Sequence, residues 1–133
     1  MKILVAFDGT ASAVKGLRYA LTNFPTAEFV LLYVERVSYV DGAYGVPPMP
    51  FDLHVDKEVL NAAEAICAEQ DITPVMKAEL GSPADLIVKM AEDTHSDLLV
   101  LGAHNKGAIE RLLLGSVSEA VTRRAHCSVL IVR

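Results

Sequence analysis

The feature that most constrains the fold of this chain is a set of short, unbroken runs of apolar residues. The run at 3–7 contains no polar residue, and similar runs occur at 29–34, 98–101 and 129–132. A strand with one solvent-exposed face alternates apolar and polar side chains, whereas a strand covered on both faces is apolar throughout. These runs therefore predict strands of a parallel sheet that is covered by helices on each side.

Segments with apolar residues at helical spacing lie between these runs, and helix-capping residues precede two of them. Ser12 is the expected cap of the first helix, and Ser82 followed by Pro83 marks the start of the third. A more polar segment at 73–80 has the character of an edge strand. Five strands thus alternate with four helices, which predicts an α/β fold with an open parallel sheet and helices on both faces.

Length and composition exclude several classes of protein. The 133 residues fit a single domain over 1–133, and an apolar share of 52% excludes intrinsic disorder. With 17 acidic and 12 basic residues, the chain lacks the excess of positive charge that sequence-independent nucleic-acid binding requires. We see neither an apolar run approaching the ~20 residues of a membrane span nor a signal peptide, so we expect a cytoplasmic protein.

The cysteines and histidines show no metal-binding pattern. Cys67 and Cys127 have no CxxC neighbour, so we expect two buried thiols that act as small apolar side chains. His54, His95 and His126 are scattered without the spacing of metal ligands. The sequence therefore predicts no resident metal site.

The segment 35–53 differs from the rest of the chain in its many proline and glycine residues. We expect no regular structure there, and the segment is long compared with the ~4–6 residues of most connections. Long loops of this kind often cover a functional site, so this one is a candidate cover for a crevice or for a subunit surface.

Two predicted strands are followed by residues that could take part in ligand binding. Asp8, Gly9 and Thr10 follow the first strand, and Gly102 follows the fourth. In an open doubly wound sheet, ligands bind beyond the carboxyl ends of the strands, where the strand order reverses. If the first and fourth strands are neighbours, these two loops face each other across one crevice.

The segment 102–116 lacks the known phosphate-loop signatures. Ala108 and Ile109 stand where a Walker A motif has its lysine and hydroxyl residue, and no GxGxxG is present. Gly115 and Ser116, however, directly precede a predicted helix at 117–124. Free N–H groups at a helix start attract anions, so the pair is either a phosphate site or a simple turn with a cap.

Several motifs together resemble one family across essentially the whole chain, the universal stress proteins of the UspA type. The resemblance implies an adenine-nucleotide α-hydrolase-like (Rossmann-like) fold with strand order 3-2-1-4-5. The motifs are Asp8-Gly9-Thr10-Ala11-Ser12, Gly81-Ser82-Pro83-Ala84, Leu101-Gly102-Ala103-His104, Leu112-Leu113-Leu114-Gly115-Ser116-Val117 and His126-Cys127-Ser128-Val129-Leu130-Ile131-Val132.

The resemblance also implies a nucleotide site. ATP-binding members share the pattern Gly-x2-Gly-x9-Gly-Ser/Thr, which Gly102, Gly115 and Ser116 match, whereas Asn105 replaces the middle glycine. Asparagine tolerates left-handed backbone angles but adds bulk near the phosphates. The implied site residues are Ala6, Phe7, Asp8, Val34, Gly102, Asn105, Gly115, Ser116 and Val117, with Thr10, Ser12 and His104 as additional candidates.

Individual roles follow from the same resemblance. Asp8 and Val34 would contact the adenosine part, and the residues from 102 onward would line the ribose and phosphates. Thr10 and Ser12 would assist the phosphates or a Mg²⁺ ion that arrives with the nucleotide. A structural alternative for Asp8 is a turn residue that binds its own backbone.

We thus expect a stress-response sensor or regulator that binds ATP or a related adenine nucleotide. The sequence offers no set of nucleophile, base and orienting residue, so catalysis would amount to slow ATP hydrolysis at most. The replacement at Asn105 supports an alternative, a dimeric protein-interaction module that binds no nucleotide. An adenylating enzyme is disfavoured, because such enzymes need a Ser-Gly-Gly-x-Asp-Ser type of loop after the first strand.

The last strand suggests a homodimer. Val129 to Val132 is apolar, and the predicted strand order places it at a sheet edge, where an unpaired strand invites a second copy. The resemblance implies antiparallel pairing of this strand across a two-fold axis.

Overall fold

The computed structural model describes residues 1–35, 38–40, 49–52, 56–103 and 115–133. Its helices and strands alternate along the chain, as the sequence predicts, except that three strands follow one another between the first and second helices. They are β1 (Lys2–Ala6), α1 (Ala11–Asn23), β2 (Glu28–Glu35), β3 (Ser38–Val40), β4 (Met49–Asp52), α2 (Lys57–Ala68), β5 (Val75–Leu80), α3 (Pro83–Asp93), β6 (Leu98–Gly102), α4 (Ser116–Arg124) and β7 (Ser128–Val132).

A five-stranded sheet in the order β5-β2-β1-β6-β7 forms the centre of the molecule. All four strand pairs in it are parallel. Numbered along the chain within this sheet, the order is 3-2-1-4-5, so the predicted topology is confirmed. The order reverses between β1 and β6, which the registers Ile3↔Leu98 and Val5↔Val100 place side by side.

Helices cover both faces of the sheet, and each face has its own core. Successive side chains of β1 point to opposite faces, so Ile3 and Val5 pack with α1 and α2, whereas Leu4 packs with α3 and α4. Ile3 and Leu4 are both fully buried. This double coverage is the physical reason for the unbroken apolar runs.

The two outer strands of the sheet are β5 and β7, as expected. Val75 in β5 is 53% exposed, and exposed and half-buried residues alternate along this strand. In β7, Leu130 and Ile131 are partly buried, since helices cover the faces of the strand but β6 pairs with only one of its edges. Of the helices described, none has the length and apolar character needed to cross a membrane.

The expectation that 35–53 has no regular structure was wrong. Its described residues include two short strands, β3 and β4, which pair antiparallel through Tyr39↔Pro50 and Val40↔Met49. Proline is tolerated in a two-stranded ribbon, because each strand has an outer edge that needs no N–H donor. The tyrosine, valine and phenylalanine within these strands favour β-structure and outweigh the local proline signal.

The two cysteines differ in their environments. Cys67 is fully buried between α2 and the sheet, and burial raises the pKa of its thiol to about 11. Cys127 is only half-buried, so the expectation of burial is confirmed for Cys67 and wrong for Cys127. Cys127 lies in the turn just before an edge strand, where neighbours cover only part of its side chain.

The difference in burial predicts that a thiol reagent distinguishes the two cysteines. In the native protein, a thiol reagent at mildly alkaline pH should modify Cys127, whereas Cys67 should react only after unfolding, because only an accessible thiolate reacts. Ellman's reagent with and without guanidinium measures this. The Cys127→Ser variant, as a control, should show no native-state reaction, and rapid native labelling of that variant would contradict the burial of Cys67.

Candidate functional site

The carboxyl ends of β1 and β6 meet where the strand order reverses. Asp8, Gly9 and Thr10 follow β1, while Ala103 follows β6. The pairing of β1 with β2 continues one residue further, since the Phe7 N–H donates to the Leu32 carbonyl at 2.9 Å. The crevice predicted from the sequence therefore has the neighbouring strands that it requires.

Asp8 forms a turn that leads directly into α1. Its Oδ1 accepts hydrogen bonds from the Thr10 N–H at 3.0 Å and from the Thr10 hydroxyl at 2.6 Å. Gly9 between them has a φ of 82°, a left-handed conformation that glycine adopts at little cost. The structural alternative for Asp8, a turn residue that binds its own backbone, is thus realised in its hydrogen bonds.

Thr10, rather than Ser12, caps the first helix. Its Oγ1 accepts a hydrogen bond from the Ala13 N–H at 3.2 Å, and Ser12 lies within the first turn. The expectation for Ser12 was wrong because the turn at Asp8 starts the helix two residues earlier. Asp8 itself is exposed, and among the described residues none donates to its Oδ2. That oxygen is available to a ligand.

Gly102 lies at the end of β6 against the first turn of α1. A Cβ atom placed on Gly102 would be 2.2 Å from the Ser12 carbonyl oxygen, which no side chain can occupy. Two of the sequence-predicted residues, Gly102 and Ser12, are therefore in contact. The first turn of α1 rests directly on the carboxyl end of β6.

The N-terminus of α4 lies at the same edge of the sheet. A helix that connects the parallel strands β6 and β7 begins at their carboxyl ends. Gly115 is the N-cap of α4, with its carbonyl accepting from the Glu119 N–H at 2.9 Å. The helix begins at Ser116, and the N–H groups of its first turn have no partner within the helix.

The side chains of this first turn differ in exposure. Ser116 is exposed, Val117 packs partly against the α3/α4 core, and Ser118 is only 5% exposed. At the other end of α4, Arg124 donates to Asp85 of α3 at 2.6 Å, and this contact lowers the pKa of Asp85.

The other residues predicted for the site lie either at the ends of β1 and β2 or outside the described residues. Ala6 and Val34 are half-buried at the ends of β1 and β2, whereas the Phe7 side chain is buried in the α1/α2 core. Only the backbone of Phe7 is therefore available to a ligand. His104 and Asn105 fall within 104–114, outside the described residues, so their roles stay predictions.

A group of acidic side chains that the sequence analysis missed surrounds the end of β2. The buried Tyr33 hydroxyl donates to the carboxylate of Glu35, and burial, followed by that carboxylate, raises the pKa of Tyr33. The charges of Asp56 and Asp8 act on Tyr33 in the same direction. The signal in the sequence was a carboxylate directly after an apolar run, at Glu35.

These charges make the crevice electrically asymmetric. Carboxylates lie on the β2 side, and the N–H groups at the start of α4, which lack partners within the helix, lie on the β6 side. An anionic group is therefore favoured near α4 and disfavoured near β2. Within the described ranges, no group of three or more His, Cys, Asp or Glu side chains could hold a metal ion.

Comparison with known sequences identifies similar proteins over the whole chain. A profile of the universal stress protein family matches residues 1–133. A universal stress protein of Methanocaldococcus jannaschii is 33% identical, with 99% of this chain and 81% of the relative aligned. A putative universal stress protein of Staphylococcus aureus strain USA300 is 31% identical over 98% of this chain and 82% of its own length.

Comparison with solved structures identifies the same fold. A universal stress protein in complex with cAMP has a TM-score of 0.71 at 23% identity, with 100% of this chain and 97% of the other covered. An Arabidopsis thaliana protein of the universal stress protein family with AMP bound also has a TM-score of 0.71, at 18% identity, covering 99% and 90% of the two chains. At these identities, the similarity establishes the shared fold.

The capping geometry at Thr10 predicts a stability effect. Thr10→Ala should lower the free energy of unfolding by about 1 kcal/mol, because the Ala13 N–H loses its side-chain partner. Urea denaturation measures the change. Thr10→Ser, which keeps the hydroxyl, should stay close to the wild type, and an Ala variant as stable as the Ser variant would contradict the cap.

Proposed function

Because this chain belongs to the universal stress protein family, we propose that it binds an adenine nucleotide, ATP with Mg²⁺, at the β1/β6 switch point. The single observation that carries this proposal is the start of α4, where Gly115 precedes N–H groups that have no partner within the helix, at the carboxyl edge of the sheet. The protein would act as a stress-response sensor or regulator in the cytoplasm, with slow hydrolysis as its only catalysis.

The crevice has a favourable orientation for such a ligand. The N–H groups of Ser116 and Val117 would donate hydrogen bonds to the phosphates. The positive end of the helix dipole would further stabilise these anionic groups. The adenosine part would lie towards Asp8 and Val34, where carboxylates disfavour phosphate but accept hydrogen bonds from ribose hydroxyls. The asymmetry of charge thus supports one direction of binding.

Two of the structurally similar proteins support the choice of ligand. One of them is in complex with cAMP and another has AMP bound. Both ligands carry an adenine, a ribose and a phosphate, so they share the chemistry that the crevice offers. For this chain, we propose ATP because Gly102, Gly115 and Ser116 match three positions of the family's ATP-binding pattern.

The replacement at Asn105 favours a second candidate function. In the sequence, Asn105 occupies the position at which ATP-binding members have a glycine, and a larger side chain at that position would hinder a phosphate. A protein that binds no nucleotide would act as a dimeric interaction module. Calorimetric titration distinguishes the two functions.

The outer edge of β7 supports a homodimer in either case. Among the described strands only β6 pairs with β7, so the backbone groups of its other edge lack a strand partner there. Leu130 and Ile131 are only partly buried in the single chain. We propose that Val129–Val132 pairs antiparallel with the same strand of a second copy.

For nucleotide binding, titration of the purified protein with ATP and Mg²⁺ should release heat with one site per chain. Gly115→Ala should weaken the affinity for ATP about tenfold, because the added methyl group would lie where a phosphate approaches the backbone. Ser82→Ala at the start of α3 is the matched control and should leave the affinity unchanged. Absence of heat with the wild type would reject the proposal in favour of the interaction module.

For the dimer, light scattering after gel filtration should give the mass of two chains. Ile131→Lys should give the mass of one chain, because a charge on an edge strand opposes pairing with another strand. Val75→Lys places the same charge on the opposite sheet edge and should remain dimeric. A wild-type mass of one chain would contradict this interface.

A further inference from the structure

Two glycines, Gly16 and Gly102, lie where α1 packs against β6 at the candidate crevice. A Cβ atom on Gly102 would be 2.2 Å from the Ser12 carbonyl oxygen, 2.4 Å from the Ser12 carbonyl carbon and 2.9 Å from the Ala13 nitrogen. From the other side, a Cβ atom on Gly16 would be 3.3 Å from the Gly102 nitrogen. All these neighbours are backbone atoms, which cannot move aside as a side chain can.

Limited space, and not backbone conformation, favours glycine at position 16 and requires it at position 102. The described glycines with positive φ are Gly9 and Gly81, whereas Gly16 lies in regular helix and Gly102 ends a strand. Alanine would therefore adopt either backbone without strain. What it lacks is room for its methyl group between helix and strand.

A short series of contacts links this glycine pair to Asp8. Ser12 and Ala13, which rest on Gly102, belong to the first turn of α1. The Ala13 N–H donates to Thr10 Oγ1 at 3.2 Å, and the Thr10 hydroxyl donates to Asp8 Oδ1 at 2.6 Å. Two hydrogen bonds thus connect the packing of α1 on β6 to the Asp8 carboxylate.

We infer that Gly16 and Gly102 are positioning residues that fix the distance between the two walls of the crevice. One wall is the Asp8–Thr10 turn, and the other is the end of β6. The inference rests on the proposed function, because it assigns to these residues the placement of a group that would contact the nucleotide. They act through the first turn of α1, and for Gly102 this role is additional to the nucleotide contact that the family pattern implies.

The two positions should differ in severity. At Gly16, the nearest contacts of an added methyl group would be 3.3–3.5 Å, which a shift of a few tenths of an ångström relieves. At Gly102, a distance of 2.2 Å requires the whole first turn to move away. Displacement of Asp8 should thus be small in Gly16→Ala and large in Gly102→Ala.

The experiment measures the affinity for ATP with Mg²⁺ by calorimetry, together with the amide NMR shifts of Thr10 and Ala13. Gly16→Ala should weaken binding a few-fold and Gly102→Ala at least about tenfold. Both should shift the Thr10 and Ala13 amide signals. Ala20→Gly is the matched control, because it weakens the same helix away from the crevice and should change neither the affinity nor these two signals.

The two readouts separate failure of this inference from failure of the proposed function. If the wild type binds no ATP, the proposed function fails, and shifted amide signals in Gly16→Ala still support the positioning. Unchanged Thr10 and Ala13 signals in Gly16→Ala would overturn the inference, as would an affinity loss equal to that of Ala20→Gly. If Gly102→Ala does not fold, Gly16→Ala alone decides.

Discussion

The burial of β1 on both faces is the constraint on which the rest of the structure depends. Ile3 and Val5 point into one core and Leu4 into the other, so the strand is stable only between two layers of helices. The chain supplies these layers by sending α1 and α2 to one face and α3 and α4 to the other. Because strands are added on both sides of β1, its carboxyl end opens between two diverging connections, and the crevice exists at that point.

Much of this architecture could be predicted, because it depends on patterns within short stretches of sequence. The apolar run at 3–7 reports double burial directly, and its alternation with helical segments leaves few possible topologies. The prediction failed where neighbours decide the outcome. Thr10 replaces Ser12 as the cap because Asp8 binds it, and β3 and β4 form because each provides the other's partner. The cap is decided by a side-chain contact between residues two apart, and the ribbon by pairing between two separate segments, neither of which the spacing of apolar residues reports.

In the candidate site, too, some features could be predicted from the sequence and others could not. Asp8, Gly102 and Gly115 follow or precede regular elements, so their place at the sheet edge follows from topology. The charge environment could not be predicted, since it brings Tyr33 and Glu35 together with Asp56, which belongs to the start of a distant helix. The result is a crevice with a negative and a positive side, although the net charge of −5 indicates only that the whole chain is acidic.

The packing of α1 has a consequence for how the protein is made. This helix follows the first strand of the chain, yet it rests on β6 and shares its core with Val132, the penultimate residue. During synthesis, α1 and β1 therefore emerge from the ribosome long before the strands that support them. The core around α1 is therefore incomplete until β6 and β7 are present, so stable folding of the N-terminal half depends on contacts with residues far along the chain.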